Sequence, residues 1–167
     1  MFGHPTCARG LITNTEGQWL LVRPRHGGSC WRIPGGRGKP GESPADTCVR
    51  ELHEELGLHL TPGDLMVTTF TVPLRPEQDG RGRVNFLFDC GVHRGAELSI
   101  TMQRAEIVAT AWIHQAEAMT LLHPGDRHLV GLALEGRHYG EYRNTSSTGT
   151  RPAPTRAPAR PSGRRSR

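Results

Sequence analysis

The chain has little with which to build crosslinks, membrane spans or stacked aromatic surfaces. Nine of its 167 residues are aromatic, and lysine occurs once, at Lys39, against twenty arginines. The cysteines, Cys7, Cys30, Cys48 and Cys90, include no C-x-x-C pair, so a zinc site is weakly supported. Free buried thiols in a reducing compartment are the expectation. No run reaches 18 apolar residues, which excludes a membrane-spanning helix. The opening MFGHPTCARG lacks a basic start followed by an apolar stretch, so no secretory leader is read there and the expected location is cytoplasmic. No internal repeat is visible.

The apolar fraction is 35%, low for a globular chain. Part of the deficit lies from Asn144 onward, a stretch of Arg, Pro, Ser, Thr, Ala and Gly without Leu, Ile, Val or an aromatic residue. Such a segment buries too little apolar surface to offset the entropy of ordering. The expected organisation is therefore one domain over 1–143 and a disordered tail over 144–167. The tail holds six arginines and no acid, whereas the rest of the chain has 15 basic and 16 acidic residues. The net charge of +5 thus belongs to the tail. A basic tail can touch nucleic acid or anionic lipid weakly, or serve only as a solvated extension.

Cys7 to Thr13 and Gln18 to Arg23 read as strands of a hairpin around Asn14-Thr15-Glu16-Gly17. Cys30 to Pro34 is a short extended piece, and Gly35 to Gly41 a glycine-rich loop. Ser43 to Leu56 has the clearest helical pattern. Ser43 suits the cap, Pro44 the first helical position and Gly57 the end, and Ala45, Val49, Leu52 and Leu56 form an apolar stripe. Leu65 to Val72, Val84 to Val92 and Ile107 to Ile113 read as strands, with a polar loop over Arg75 to Arg83. Gln115 to Leu122 and Asp126 to Leu134 read as helices. This mixed order predicts an α/β fold, a mixed sheet covered by helices on both faces.

At about 100° per residue, Glu51, Glu54 and Glu55 fall together, away from that stripe. Like charges at i, i+3 and i+4 repel by a few tenths of a kcal/mol per pair, so something positive belongs among them. Arg50 is one candidate and a divalent cation another. Mg²⁺ takes oxygen ligands, keeps several waters and bridges to phosphates. Charge alone does not separate that reading from a solvated acidic face.

The segment from Gly36 to Leu58 resembles the Nudix signature, G-x5-E-x7-R-E-U-x-E-E-x-G-U with U a bulky aliphatic residue. Gly36, Glu42, Arg50, Glu51, Leu52, Glu54, Glu55, Gly57 and Leu58 occupy its fixed positions without insertion. Trp31-Arg32-Ile33-Pro34-Gly35-Gly36 is similar to the family's lead-in. The resemblance implies an α/β/α sandwich with a loop-helix-loop catalytic element, acting on nucleoside diphosphates linked to another moiety. It implies Mg²⁺, with Mn²⁺ as a substitute, on Glu51, Glu54, Glu55 and the Gly36 carbonyl. Arg50 would hold the glutamates in place and Glu42 would tie the loop to the helix. The general base varies within the family, being either a box glutamate or an acid from a distant loop. Glu106 is the candidate here, with an ordinary exposed glutamate as the alternative. Asp126 is better explained as a helix cap. Homodimers are common in the family. A binding module without catalysis would have lost box acids, and none is lost here.

Recognition residues are poorly marked. Arg23, Arg25 and Arg32 flank the loop and suit paired contacts to phosphate, or plain surface solubility. Phe70, Phe86, Phe88, Trp19 and Trp31 read as packing residues rather than stacking platforms.

Overall fold

The computed structural model describes residues 4–26, 28–73 and 81–143, and of Ala96 the backbone alone. The tail from Asn144 and most of the polar loop that follows Arg75 lie outside these residues. Four early strands or helices place the glycine-rich segment: β1 (Thr6–Asn14), β2 (Gln18–Pro24), β3 (Gly35–Arg37) and α1 (Pro44–Leu56). They are followed by β4 (Leu65–Val72), β5 (Arg83–His93), β6 (Ile107–His114), α2 (Gln115–Leu121), α3 (Pro124–Leu134) and β7 (Tyr139–Arg143).

The sheet runs β6-β2-β1-β5-β4-β7, with β3 also on β1. β1 is parallel to β5 and β4 to β7, while the other pairs are antiparallel. The Asn14 side chain shapes the first hairpin by accepting from Glu16 N at 3.0 Å and Gln18 N at 2.8 Å, an Asx-type turn. β2 meets β1 only near Thr13 and Trp19. The gap that then opens is filled by the lead-in segment. Val22 and Arg32 exchange backbone bonds of 3.0 and 2.8 Å, and Gly10 N donates to Pro34 O at 3.0 Å.

Alternation along the strands divides the core into two layers. Ala8, Ile12, Leu20, Val22, Phe88 and Cys90 face α1 with Cys48, Leu52 and Leu56. Leu11, Trp19, Leu21, Val67 and Leu87 face α2 and α3 with Ala118, Leu129 and Val130. This is the expected sandwich. α1 comes close to the sheet at Gly10, where a Cβ would stand 2.6 Å from Cys90 Sγ and 3.0 Å from Leu52 Cδ1.

Four sequence expectations change. Gly35 to Arg37 is a strand rather than loop, because Cys7, Ala8 and Arg9 of β1 offer it a free edge. β7 was not expected; its sequence YGEYR has too little apolar alternation to announce a strand, and its pairing with β4 creates it. Val49 is 37% exposed, and Cys48 takes its place in the stripe. That one-residue rotation puts Cys48, Glu51, Leu52, Glu55 and Leu56 on one side of α1, at spacings of three and four. Glu55 is consequently buried instead of facing outward. Finally, Asp126 is not the cap of α3, which starts at Pro124 and is capped by His123, whose Nδ1 accepts from Gly125 N at 3.1 Å.

Candidate active site

α1 begins with a reciprocal cap. Ser43 Oγ accepts from Asp46 N at 3.1 Å, and Ser43 N donates to Asp46 Oδ2 at 3.1 Å. Gly57 closes the helix at φ 69° with its N–H on His53 O at 2.9 Å. Between these ends the acidic side of α1 packs on β3. A Cβ on Gly36 would lie 2.6 Å from Glu51 Oε2, so only glycine leaves the Glu51 carboxylate its place on the backbone.

Arg50 organises the cluster. Its Nε pairs with Glu42 Oε1, and its Nη1 donates to Glu51 Oε1 at 2.8 Å and Glu54 Oε2 at 2.7 Å. Its Nη2 donates to Arg37 O at 2.8 Å. Arg50 hydrogen bonds hold the Glu42 carboxyl down at about 2, helped by the Lys39 backbone N–H. Glu54 is turned toward solvent, and Lys39 Nζ donates to its Oε1 at 3.0 Å.

Glu55 differs from the rest. It is 9% exposed and accepts from Gly35 N at 2.9 Å. Among the described residues it forms no ion pair. Burial pushes its carboxyl up to about 7, against the Gly35 hydrogen bond and the more distant Arg9 charge; the Glu51 and Glu106 charges add to the rise. Glu106 is exposed, but its charge reaches this end of α1. Its loop is pinned there by Gln103 N on Glu55 O at 3.0 Å and by Arg25 N on Glu106 O at 2.7 Å.

The donors are all oxygen, which suits Mg²⁺. Among the described residues no three carboxylates, histidines or cysteines stand close enough to enclose a metal ion. Glu54 and Glu51 are instead held by Lys39 and Arg50. The buried Glu55 carboxylate beside Glu51 is the feature that fits a cation, since a desolvated charge with no counter-ion among the described residues is costly.

Beyond β3, on the α3 face of the sheet, lies a cavity of about 350 Å³. Arg9, Arg32, Asp126, His123 and Leu129 line its inner part, and Arg37, Arg83, Asn85 and Tyr142 its outer part. Asp126 is 3% exposed and anchors the floor. Arg9 Nε pairs with it at 3.1 Å and Arg32 Nε at 2.7 Å, while Ile33 N donates at 3.2 Å. Burial alone would raise the Asp126 carboxyl, but Arg9 and Arg32 together hold it below its ordinary value. Arg9 Nη1 also donates to Ile33 O at 2.7 Å, which ties this floor to the lead-in of the acidic helix.

The structure thus brings Arg32 to the cavity, but already paired. Arg23 does not line it; its guanidinium lies 5.8 Å from the Trp31 ring centre. Arg25 is occupied with Arg104 O at 2.8 Å. Arg9, Arg37 and Arg83 escaped the sequence reading. Arg9 had a visible signal, a charge at a core position in the otherwise apolar strand CARGLI.

A mixed sheet between two helical layers, with a carboxylate-bearing helix folded onto a glycine strand, defines the loop-helix-loop class of α/β/α sandwich. The chain belongs to the NUDIX domain family, whose model matches residues 3–132. It is 42% identical to the RNA pyrophosphohydrolase of Psychrobacter cryohalolentis over 59 residues, 35% of this chain and 34% of that protein. It is 32% identical to the human 8-oxo-dGDP phosphatase NUDT18 over 113 residues, 67% of this chain and 32% of that protein. The chain spans about a third of the length of these curated relatives. The crystal structure of the MutT protein from Bacillus halodurans superposes with a TM-score of 0.68 at 25% identity, covering 84% of this chain and 90% of that one. No helix among the described residues is long and apolar enough to cross a membrane.

Proposed function

We propose that this protein hydrolyses a phosphoanhydride bond in a nucleoside diphosphate linked to another moiety, such as a nucleoside triphosphate or ADP-ribose, with Mg²⁺ as cofactor and Mn²⁺ as a substitute. The observation that carries the reading is the buried Glu55 beside Glu51, without an ion pair among the described residues and within reach of the charge of Arg9, which lines the cavity on the α3 face. Glu51 and Glu55, with Glu54 once it leaves Lys39 and the Gly36 carbonyl, would hold the cation. Bound there, it supplies charge neutralisation and orientation of the diphosphate.

The protein's own groups do the rest. Arg50 keeps Glu51 and Glu54 from swinging apart. Glu106 takes the proton as water oxygen bonds to phosphorus, and the bridging oxygen leaves with the electron pair of the broken P–O bond. Little covalent chemistry is asked of the protein, because such transfers depend on positioning and charge. A non-catalytic nucleotide sensor would not need all the box acids, and they are all in place. Release of phosphate, pyrophosphate or nucleoside monophosphate is measured over nucleoside triphosphates, oxidised and normal, ADP-ribose, nucleotide sugars and dinucleoside polyphosphates. The expected outcome is Mg²⁺-dependent turnover that falls by orders of magnitude in Glu51→Gln and Glu55→Gln with the fold intact. Turnover unchanged in both variants rejects the assignment.

A further inference from the structure

The glycine strand on which the acidic helix rests is held from the far face of the sheet by a buried ion pair. Alternation along β1 turns Ala8 toward α1 and Arg9 toward α3, where it meets Asp126. Arg9 is 7% exposed and stands in register with Gly35 of β3. Its guanidinium spans three acceptors. Nε faces Asp126 Oδ1 at 3.1 Å, and Nη1 donates to Ile33 O at 2.7 Å and to Gly35 O at 3.4 Å. Asp126 completes the clamp, its Oδ2 accepting from Ile33 N at 3.2 Å.

A buried backbone polar group left without a partner costs about as much as a lost hydrogen bond, so the partners of Ile33, Pro34 and Gly35 matter one by one. Pro34 has no N–H, and its carbonyl accepts from Gly10 N at 3.0 Å. Of the four remaining groups, three go to Arg9 or Asp126, and the fourth, Gly35 N, donates to Glu55 Oε2 at 2.9 Å. Gly35 itself has no room to shift toward β1: its φ is 131°, and a Cβ there would stand 2.7 Å from Arg9 Cα. Gly36, next in the strand, lies directly under the Glu51 carboxylate. The two carboxylates therefore rest on a peptide that side chains of β1 and α3 grip from behind. Neither Arg9 nor Asp126 belongs to the acidic element, which spans Gly36 to Leu58.

We infer that Arg9 and Asp126 are positioning residues for Glu51 and Glu55. By fixing Ile33 to Gly35 from the α3 face, they set where the Gly35 N–H and the Gly36 backbone stand against those carboxylates. The consequence for the metal rests on the hydrolase reading above; the hold on the strand does not. Arg32 also pairs with Asp126, at 2.7 Å, so Asp126 keeps a partner when Arg9 is replaced, and the loss falls on Ile33 O and Gly35 O. Lysine retains the charge at position 9 but is a point donor rather than a planar fork.

The test compares Arg9→Met, Arg9→Lys and Asp126→Asn with Val130→Ala, a truncation on α3 in the core layer of that face that removes none of these bonds. In metal-free protein, amide hydrogen exchange read by NMR should speed at Gly35 by about tenfold or more relative to Leu52 of α1 in Arg9→Met, and by less in Arg9→Lys. The half-saturating Mn²⁺ concentration, read by electron paramagnetic resonance, should rise by about tenfold or more in Arg9→Met and Asp126→Asn, the scale of a contact that orients a metal ligand. It should stay unchanged in Val130→Ala, whose loss is of stability alone. Gly35 exchange that follows wild type in Arg9→Met overturns the inference. So does Mn²⁺ affinity within about twofold of wild type in Arg9→Met, or an equal loss of affinity in Val130→Ala. If Arg9→Met does not fold, Arg9→Lys carries the same comparisons. A wild type that binds no Mn²⁺ rejects the hydrolase reading, and Gly35 exchange alone then decides whether the pair holds the strand.

Discussion

Replacing Glu55 by Gln should make the metal-free protein more stable at pH 8 while removing its activity. The carboxyl stands at about 7 in the folded chain, raised first by burial, against an ordinary 4.5. Below pH 4.5 it is neutral in both folded and unfolded chains and contributes nothing adverse. As pH rises from about 4.5 to about 7, the unfolded chain loses the proton first, so the folded state loses stability over that window. Above it the loss is constant. At 1.36 kcal/mol per pKa unit the total is about 3 kcal/mol. Gln is neutral at every pH, and its amide oxygen can still accept from Gly35 N. The variant should therefore melt roughly 10 °C higher than wild type at pH 8 in the presence of a chelator, with no difference at pH 4.5. Groups such as Glu42 and Asp126, whose carboxyls are lowered, act in the opposite direction at acid pH, but they are common to both proteins and cancel. Differential scanning calorimetry across pH 4.5–8 is the assay. Adding Mg²⁺ should raise the wild-type melting temperature at pH 8, by mass action on the folded state, and raise that of the variant far less. A variant that is equally or less stable at pH 8, or a difference that does not depend on pH, would refute the claim that Glu55 is a buried carboxylate awaiting a cation.

Gly36→Ala should reduce turnover by orders of magnitude with little change in urea midpoint, because the new methyl displaces only the free end of the Glu51 side chain; an active variant would show that this carboxylate is not needed where it lies. Asp126→Asn should cost about 3–5 kcal/mol in urea unfolding, since it leaves the Arg9 and Arg32 charges without their buried partner. A loss below about 1 kcal/mol would mean that water or another acid replaces it.

Local rules were enough for much of this protein. Ser43, Pro44 and Gly57 set both ends of the acidic helix, because caps depend on the residues adjacent in the chain. The strands at Leu65–Val72 and Ile107–His114 follow from short runs of apolar and β-branched side chains, and the order of elements gives the sandwich. The box glutamates were legible through their match to the Nudix signature, whereas helical geometry alone set all three away from the apolar stripe.

Other features required the sheet. Which side of α1 turns inward depended on Gly10 and the thiols of Cys48 and Cys90 meeting between the layers, and that rotation buried Glu55. β3 and β7 exist through the edges of β1 and β4 rather than through their own composition. Asp126, 94 residues from Arg32 and far from Arg9 in the chain, became an anchor only when α3 packed on the sheet. Sequence by itself determined the chemical groups and the elements that carry them, because those obey short-range periodicity. Tertiary structure decided which groups are desolvated and which are paired, because burial and ion pairing depend on neighbours that the chain order does not reveal.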